Sequence, residues 1–279
     1  FANSNREWLF GQESRSFGPN GWQPMNMFDQ PEFEGYLRQQ ALSHPSVTAF
    51  IGYSAIKVTD RPNDVAVGIK ADEPGEQHEL AGRYVLGTDG AASFVRKSLG
   101  SGWQSLGYDA DWLVVDVTIK PGHTLGLDTL QVCDPDRITT YVCTKDPYRR
   151  WEFKMLPGET AEEMLDNDLI MSLIDEWTPR DTYEIRRAAV YQFHAATADK
   201  WRQGKIFIGG DAAHQTPPFL GQGMNAGMRD VINFSWKLPL VIRGVCDPLL
   251  LDSYEAERSA HAHDLVEWAV SVGKLMDHM

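Results

Sequence analysis

Residues 204–227 read Gly204-Lys205-Ile206-Phe207-Ile208-Gly209-Gly210-Asp211-Ala212-Ala213-His214-Gln215-Thr216-Pro217-Pro218-Phe219-Leu220-Gly221-Gln222-Gly223-Met224-Asn225-Ala226-Gly227. An apolar run from Lys205 to Ile208 ends in Gly-Gly-Asp. A buried strand of this kind delivers a carboxylate to the open end of an α/β sheet, where ligands collect. Pro217-Pro218 stiffens the turn that follows. Gly221 and Gly223 then open a helix predicted to reach about Ile242, with no side chain in front of its first N–H groups. A planar, electron-rich ligand fits such a helix start. Negative charge developing on it would gain about 1–2 kcal/mol from the dipole and the bare N–H groups in a partly buried setting. The spacing Gly221-x-Gly223-x-x-x-Gly227 superficially matches a dinucleotide fingerprint. It follows a Pro-Pro turn rather than a strand, so it is not read as a Rossmann βαβ unit.

An earlier segment has related logic. Tyr84-Val85-Leu86-Gly87-Thr88-Asp89-Gly90-Ala91-Ala92-Ser93-Phe94-Val95-Arg96 is a short apolar strand, a glycine-bracketed Thr-Asp turn and the start of a helix ending near Leu99-Gly100. The glycines let backbone approach a bulky ligand, and the helix start offers N–H groups to phosphate. The same residues also suit a plain strand-turn-helix link with a capping Asp89.

Around these segments the chain reads as mixed α and β. Phe1 to Asn26 is irregular, with a turn at Gly18-Pro19-Asn20-Gly21 and room for one short strand. Asp29-Gln30-Pro31-Glu32 starts a helix, continued at helical spacing by Phe33, Tyr36 and Leu37 and ended by His44-Pro45. Strands are predicted over 47–58, 65–69, 84–87, 112–119, 130–144, 151–156, 183–193 and 205–208. The stripe Met164, Leu165, Leu169, Leu173 predicts a helix over 161–176, and 250–279 is mostly helical. No internal repeat or low-complexity tract interrupts this order.

The 279 residues, 42% hydrophobic and 23% charged, suit one large or two modest globular domains. They exclude a collagen-like repeat, a coiled coil and a disordered chain. No run approaches the roughly 18 apolar residues of a membrane helix, and no leader pattern is visible. Twenty-six Lys and Arg against 39 Asp and Glu leave a formal net charge of −13, so nucleic acid is not an expected partner. Cys133, Cys143 and Cys246 are odd in number and lack C-x-x-C spacing. They read as reduced thiols in a cytoplasmic protein. His261 and His263, two apart on a helix, face different ways, and no metal site is expected.

Gly87-Thr88-Asp89-Gly90 with Ser93 and Arg96 resembles the "DG" motif of the class A flavoprotein aromatic hydroxylases. Gly210-Asp211-Ala212-Ala213-His214 through Pro217-Pro218, Gly221, Gly223, Asn225, Asp230, Asn233, Trp236 and Lys237 resembles their "GD" motif almost in full. Tyr191 to Ala195 and Trp201 to Gly204 resemble the run before that motif in the phenol-hydroxylating members. Asp29-Gln30-Pro31, with Glu34 and Leu37, resembles a flavin-contacting glutamine at a helix start. Gly209, where Ala is usual, and Gln215, where an apolar residue is common, depart from the pattern. The family's opening G-x-G-x-x-G unit is also not in the sequence. The chain therefore reads as a fragment, expected to hold FAD weakly or not at all, its sheet without the central strand.

The resemblance implies an α/β (α+β) fold: an incomplete three-layer FAD-binding domain, 27–104 and 197–279, interleaved with a substrate domain, 1–26 and 105–196, on a mixed β-sheet. It implies an NAD(P)H-dependent monooxygenase in which FAD forms a C4a-hydroperoxide that attacks a phenolic acid. The cofactor carries that chemistry and the protein orients and shields it. FAD would be held by Gln30, Asp89, Gly90, Arg96, Gly210, Asp211, Gly221, Gly223, Met224 and Asn225. Asp211 would meet the ribityl chain, and the N–H groups at 221–225 the N1–C2=O edge. Pro217 and Pro218 would wall the reaction site. His194 and Tyr191, each also readable as a packed strand residue, would help deprotonate the phenol. Arg186-Arg187 would meet a substrate carboxylate or face solvent, and Trp112, Trp151 and Phe153 would line the substrate sheet or fill its core. The implied partners are a small phenol and O2, with room for a homodimer and no membrane. Two other readings share these motifs: an epoxidising or halogenating flavoenzyme, though no halogenase Trp-x-Trp-x-x-Pro signature is present, and a non-catalytic module with a vestigial site.

Overall fold

The computed structural model describes residues 1–11, 17–73 and 75–278. Its elements are α1 (Gln30–Ser43), β1 (Tyr53–Asp60), β2 (Val65–Ala71), β3 (Gln77–Gly82), β4 (Val85–Gly87), α2 (Phe94–Ser98), β5 (Trp103–Ile119), β6 (Leu130–Val132), β7 (Thr139–Cys143), β8 (Tyr148–Lys154), α3 (Ala161–Met164), α4 (Asn167–Asp175), β9 (Tyr183–Ala198), β10 (Arg202–Gln203), β11 (Ile206–Ile208), β12 (His214–Gln215), α5 (Gly223–Ile242) and α6 (Asp252–His278). They form two interleaved units. The first comprises Phe1–Ala49, Ala110–Gln192 and Lys274–Met279, and the second Phe50–Asp109 and Phe193–Gly273. Residues 27–49 thus fall with the first unit. No helix among the described residues is long and apolar enough to cross a membrane.

The first unit is built on the β8-β7-β6 part, with stretches of β5 and β9, of a six-stranded sheet of order β12-β9-β5-β8-β7-β6, antiparallel wherever its register is described. Alternation along the strands sends Leu113, Val115, Val117, Tyr141, Trp151 and Phe153 to one face. There they meet Met164, Ile170 and Ile174 of α3 and α4 in one core. Trp151 and Phe153 are therefore core residues, whereas Trp112, in the opposite phase of β5, is buried on the other face. Helix α1 begins as expected, with Asp29 as its cap accepting from the Glu32 N–H and Pro31 in its first turn. None of its residues is buried, so the stripe of Phe33, Tyr36 and Leu37 packs into no core.

Several expected boundaries change: β5 begins at Trp103 rather than at 112, β8 ends at Lys154 rather than at 156, and β9 reaches Ala198 rather than 193. The strand expected over 130–144 is a hairpin, β6 and β7, because Asp134 accepts from the Asp136 N–H at 2.9 Å and turns the chain. The helix expected over 161–176 is two. Thr160 and Glu163 form a capping box on α3, and Asp166 stops it by capping α4 through the N–H groups of Asp168 and Leu169. The strand expected from Val47 begins only at Tyr53, after Gly52 at φ 76°. The polar stretch 77–82 is a strand, β3, although its alternation is weak.

The second unit holds an antiparallel sheet β1-β2-β3 and a small sheet β10-β11-β4. In the latter, β11 and β4 are parallel neighbours, with Ile208 opposite Gly87. Around them Val95, Leu99, Trp201, Phe207, Phe234 and Tyr254 build the core. Phe234 and Tyr254 come from α5 and α6, with ring centroids 5.4 Å apart.

Candidate flavin site

The parallel register makes the two motif loops leave the sheet at one level. The Gly209 N–H donates to the Gly87 carbonyl at 3.0 Å, and Gln215 Nε2 reaches the Ala91 carbonyl at 3.3 Å. The polar Gln215, unusual by the family pattern, is thus the tie between the loops. Gly87 itself admits no side chain, since a Cβ there would lie 2.5 Å from that of Val95.

In the first loop Ser93 is the cap of α2, accepting from the Arg96 N–H at 2.9 Å, and the Asp89 carboxylate backs it, accepting from Ser93 Oγ at 2.5 Å and from the Val95 N–H at 3.0 Å. Arg96 turns inward and is buried. It donates to the Ser101 carbonyl at 3.0 Å and lies 4.1 Å from the Trp103 ring centroid. What this loop leaves open is backbone: Gly90, at φ 79°, would meet nothing within 4 Å if it carried a Cβ.

The second loop is fixed from below. Asp230 on α5, almost wholly buried, accepts from the Gly210 N–H at 2.9 Å, His214 Nε2 at 2.8 Å and Arg258 Nε at 2.8 Å. Burial alone would push this carboxyl up. The bonds from His214, Gly210 and Arg258 outweigh burial and hold it below its ordinary value. His214 is therefore a buried partner of Asp230, stacked on Trp201 at 5.6 Å. Tyr254 donates to the Ile208 carbonyl at 2.8 Å. Its hydroxyl fills the space a Cβ on Gly209 would enter, at 2.8 Å, which accounts for Gly where Ala is usual. Gly227 lets α5 approach the loop: its Cβ would stand 3.3 Å from the Gly210 Cα.

Held in this way, the loop presents Asp211 outward. Its exposed carboxylate has no hydrogen-bond or ion-pair partner among the described residues. Pro217 is buried and Pro218 half-buried. Their turn is pinned by Phe219, whose ring meets Tyr108 edge-on at 5.4 Å and rests where a Cβ on Gly273 would stand at 2.6 Å. Helix α5 then starts with no side-chain cap. The Ala226 N–H reaches the Gln222 carbonyl at 2.9 Å, which leaves those of Gly223, Met224 and Asn225 as the helix's outward donors. Added Cβ atoms on Gly221 and Gly223 would meet open space. The corner is unplugged, with a lone carboxylate on the neighbouring loop. Glycines open at Gly90, Gly221 and Gly223, free N–H groups and Asp211 together fit the ribityl chain and charged ring edge of a flavin.

The remaining expected residues are dispersed. His194 sits half-exposed on β9, its Nδ1 bonded to the Asp109 carboxylate on β5. Asp109 was not singled out in the sequence; its only signal is the polar break Tyr108-Asp109-Ala110-Asp111 before the apolar run of β5. Tyr191 and Gln30 belong to the first unit. Gln30 is exposed on the first turn of α1, and Tyr191 lies 5.3 Å from the Arg187 guanidinium. Arg186 is committed to Asp29 at 3.1 Å and to the Tyr148 ring at 3.8 Å. On α6, His263, Asp264 and Glu267 bring ligand-type atoms within 4.8 Å of one another on a largely exposed surface. All three cysteines are free thiols.

Two parallel strands feeding glycine loops, and a helix opening beside a free carboxylate, define a flavin-binding oxidoreductase fold. Residues 10–269 match the FAD binding domain family, and the chain belongs to it. It is 32% identical over 257 residues to 3-(3-hydroxy-phenyl)propionate/3-hydroxycinnamic acid hydroxylase from Escherichia coli strain SMS-3-5, a match covering 92% of this chain and 46% of that protein. The Shigella sonnei Ss046 counterpart matches to the same extent. The chain thus spans about half the length of these curated relatives. Among solved structures, aklavinone-11 hydroxylase with FAD and aklavinone superposes with a TM-score of 0.79 at 27% identity, over 90% of this chain and 48% of that one. The p-nitrophenol 4-monooxygenase of Pseudomonas putida DLL-E4 has the same fold, with a TM-score of 0.78 at 20% identity over 90% and 64% of the two chains.

Proposed function

We propose that this chain is the flavin-holding and substrate-holding part of an FAD-dependent monooxygenase that hydroxylates a phenolic aromatic acid with NAD(P)H and O2. The observation that carries this reading is the open, uncapped start of α5 beside the unpartnered Asp211 carboxylate. When bound, FAD supplies the redox chemistry and the activation of oxygen; the protein's share is binding, orientation and charge. Asp211 accepts hydrogen bonds from ribityl hydroxyls. The N–H groups of Gly223, Met224 and Asn225 stabilise negative charge at the ring's N1–C2=O edge through the end of a 20-residue helix. Gly90 and Gly210 let backbone approach the cofactor, and Pro217-Pro218 form a stiff wall. His194, its ring oriented by Asp109, exchanges the phenol proton with water, a role its half-exposed position suits. The similarity to a hydroxylase named for 3-(3-hydroxyphenyl)propionate makes that compound the substrate to try first.

The test is a titration of the purified protein with FAD followed by absorption, then NAD(P)H oxidation in excess FAD with and without 3-(3-hydroxyphenyl)propionate. With FAD added in excess, the expected result is oxidation stimulated by the phenol and a product carrying one added hydroxyl. A flavin-loaded protein whose NAD(P)H oxidation ignores phenolic acids and yields no hydroxylated product overturns the reading.

A further inference from the structure

Helix α6 turns one side to the core of the second unit and the other to water. Ala262, Leu265, Val266, Ala269 and Val270 are buried and fix the backbone between them. The outer side carries His263, half-buried, with the exposed acids Asp264 and Glu267. Glu267 follows His263 by four residues and Asp264 by three, so on a helix it is the neighbour of both. Each of the three offers one ligand-type atom, and these atoms lie within 4.8 Å of one another. The histidines 261 and 263 make no pair; His263 finds its companions beside it and one turn on.

None of these three side chains has a hydrogen-bond or ion-pair partner among the described residues. No contact within the protein therefore accounts for their convergence. Like charges a turn apart on a helix repel, and neither acid has a Lys or Arg paired to it. Exposed side chains are free to swing away from such neighbours, yet these turn together. Carboxylates alone would gather only a loose ion atmosphere. The imidazole changes the chemistry, because it is a directional nitrogen donor. It suits zinc, nickel and copper, whereas Mg2+ and Ca2+ take oxygen ligands.

We propose that His263, Asp264 and Glu267 form a binding site for a divalent transition-metal ion of the zinc type. One imidazole nitrogen and two carboxylate oxygens fill three positions and water the fourth, the pattern of an open tetrahedral site. Two donors bound to one zinc at about 2.1 Å stand roughly 3.4 Å apart. The spacing on α6 closes to that value by rotation of the outer side chains, with the helix unmoved. Two carboxylates against a dication leave the complex neutral. Because all three ligands stand on one rigid element, their ordering costs little. The ion braces α6, the helix that also carries Tyr254 and Arg258, which hold the strand and loop of the second motif. The site is independent of the flavin reading.

The experiment strips the purified chain with a chelator and titrates it with ZnCl2 by calorimetry, then with Co2+ by visible absorption. The wild type is expected to bind one zinc per chain in the micromolar range, to give the visible bands of tetrahedral Co2+, and to melt at a higher temperature as zinc is added. Excess Mg2+ should not compete. His263→Ala and Glu267→Gln, outer-side changes whose folding is checked by circular dichroism, should each weaken zinc binding at least tenfold and abolish the melting shift. His261→Ala, which leaves the three ligands in place although its ring feels the charge of Asp264, should bind zinc as the wild type does. Absence of saturable zinc binding overturns the proposal. So does zinc affinity that survives in both His263→Ala and Glu267→Gln, or that is lost in His261→Ala.

Discussion

Asp230 and Gly210 are joined by a 2.9 Å hydrogen bond from the loop N–H to a carboxylate on α5. That bond sets the second motif loop, because the same carboxylate also holds His214 and Arg258. One helix thus supplies the uncapped N–H groups at its start and, two turns on, the anchor that positions the loop carrying Asp211. The anchor and the donors cannot move independently, which is how a rigid element keeps a binding site in register.

Replacing this anchor tests the coupling. Asp230→Asn removes a buried charge facing a guanidinium and is expected to destabilise the second unit by roughly 3–5 kcal/mol, read by chemical denaturation. The folded Asp230 carboxyl lies below its ordinary value of 3.8. Its stabilisation is therefore present above that value and lost as pH falls through the lower, folded one. The wild-type advantage over Asp230→Asn should accordingly be flat from pH 6 to 8 and shrink in acid. A variant as stable as the wild type at pH 7 would show that the loop has another anchor.

Gly223 gives the converse variant, one that spares the fold and blocks the ligand. A Cβ there meets nothing, and leaving glycine favours a helix by up to about 1 kcal/mol. Gly223→Leu is expected to fold with unchanged or slightly raised stability. In titrations with FAD it should bind at least tenfold more weakly than the wild type, because the side chain occupies the space in front of the outward N–H groups. Unchanged flavin affinity would place the ring elsewhere.

The two loops were legible in the sequence because each packs its signal into one short continuous stretch, 84–96 and 204–227: an apolar strand, glycines where backbone must stay bare, and one carboxylate. What holds them was not. Tyr254 lies 45 positions from Gly209, and Arg258 lies 28 from Asp230; no local spacing announces a hydroxyl filling a missing Cβ or a guanidinium closing a network. The same limit separates Asp109 from His194, on different strands. Local misreadings have local causes. Asp166 was counted inside a helical stripe although its side chain caps the next helix, and Asp134-Pro135-Asp136 is a turn inside an otherwise strand-like run.

Lys237 is fully buried and donates to Glu257 at 2.8 Å, where Asn233 donates as well at 2.7 Å. The bonds from Lys237 and then Asn233 drive the Glu257 carboxyl down to about 2. Glu257→Gln leaves a buried ammonium without its counter-charge and is expected to cost about 2 kcal/mol, less than a wholly buried pair because the carboxylate is half in water. Lys237→Met should cost less, since it buries no lone charge, and Lys237→Met with Glu257→Gln should match Lys237→Met. A double-mutant cycle by thermal unfolding checks this; strictly additive losses would show that the two residues do not act as a pair.

The last expectation concerns the stability cost of Glu152, independent of any ligand. Its carboxyl titrates near 4.5 when unfolded and at about 7 when folded. Between those values the native protein binds the proton and the unfolded chain has released it, so stability must fall as pH rises through that window. Above pH 7 the full penalty applies, roughly 3 kcal/mol. Glu152→Gln carries a neutral group of the same shape at every pH. It should therefore match the wild type near pH 4 and exceed it by a margin that grows to about 3 kcal/mol at pH 8, read by urea unfolding at each pH. A variant that loses stability equally at pH 4 and pH 8 would mean that Glu152 is held by a partner as an ordinary ionised carboxylate.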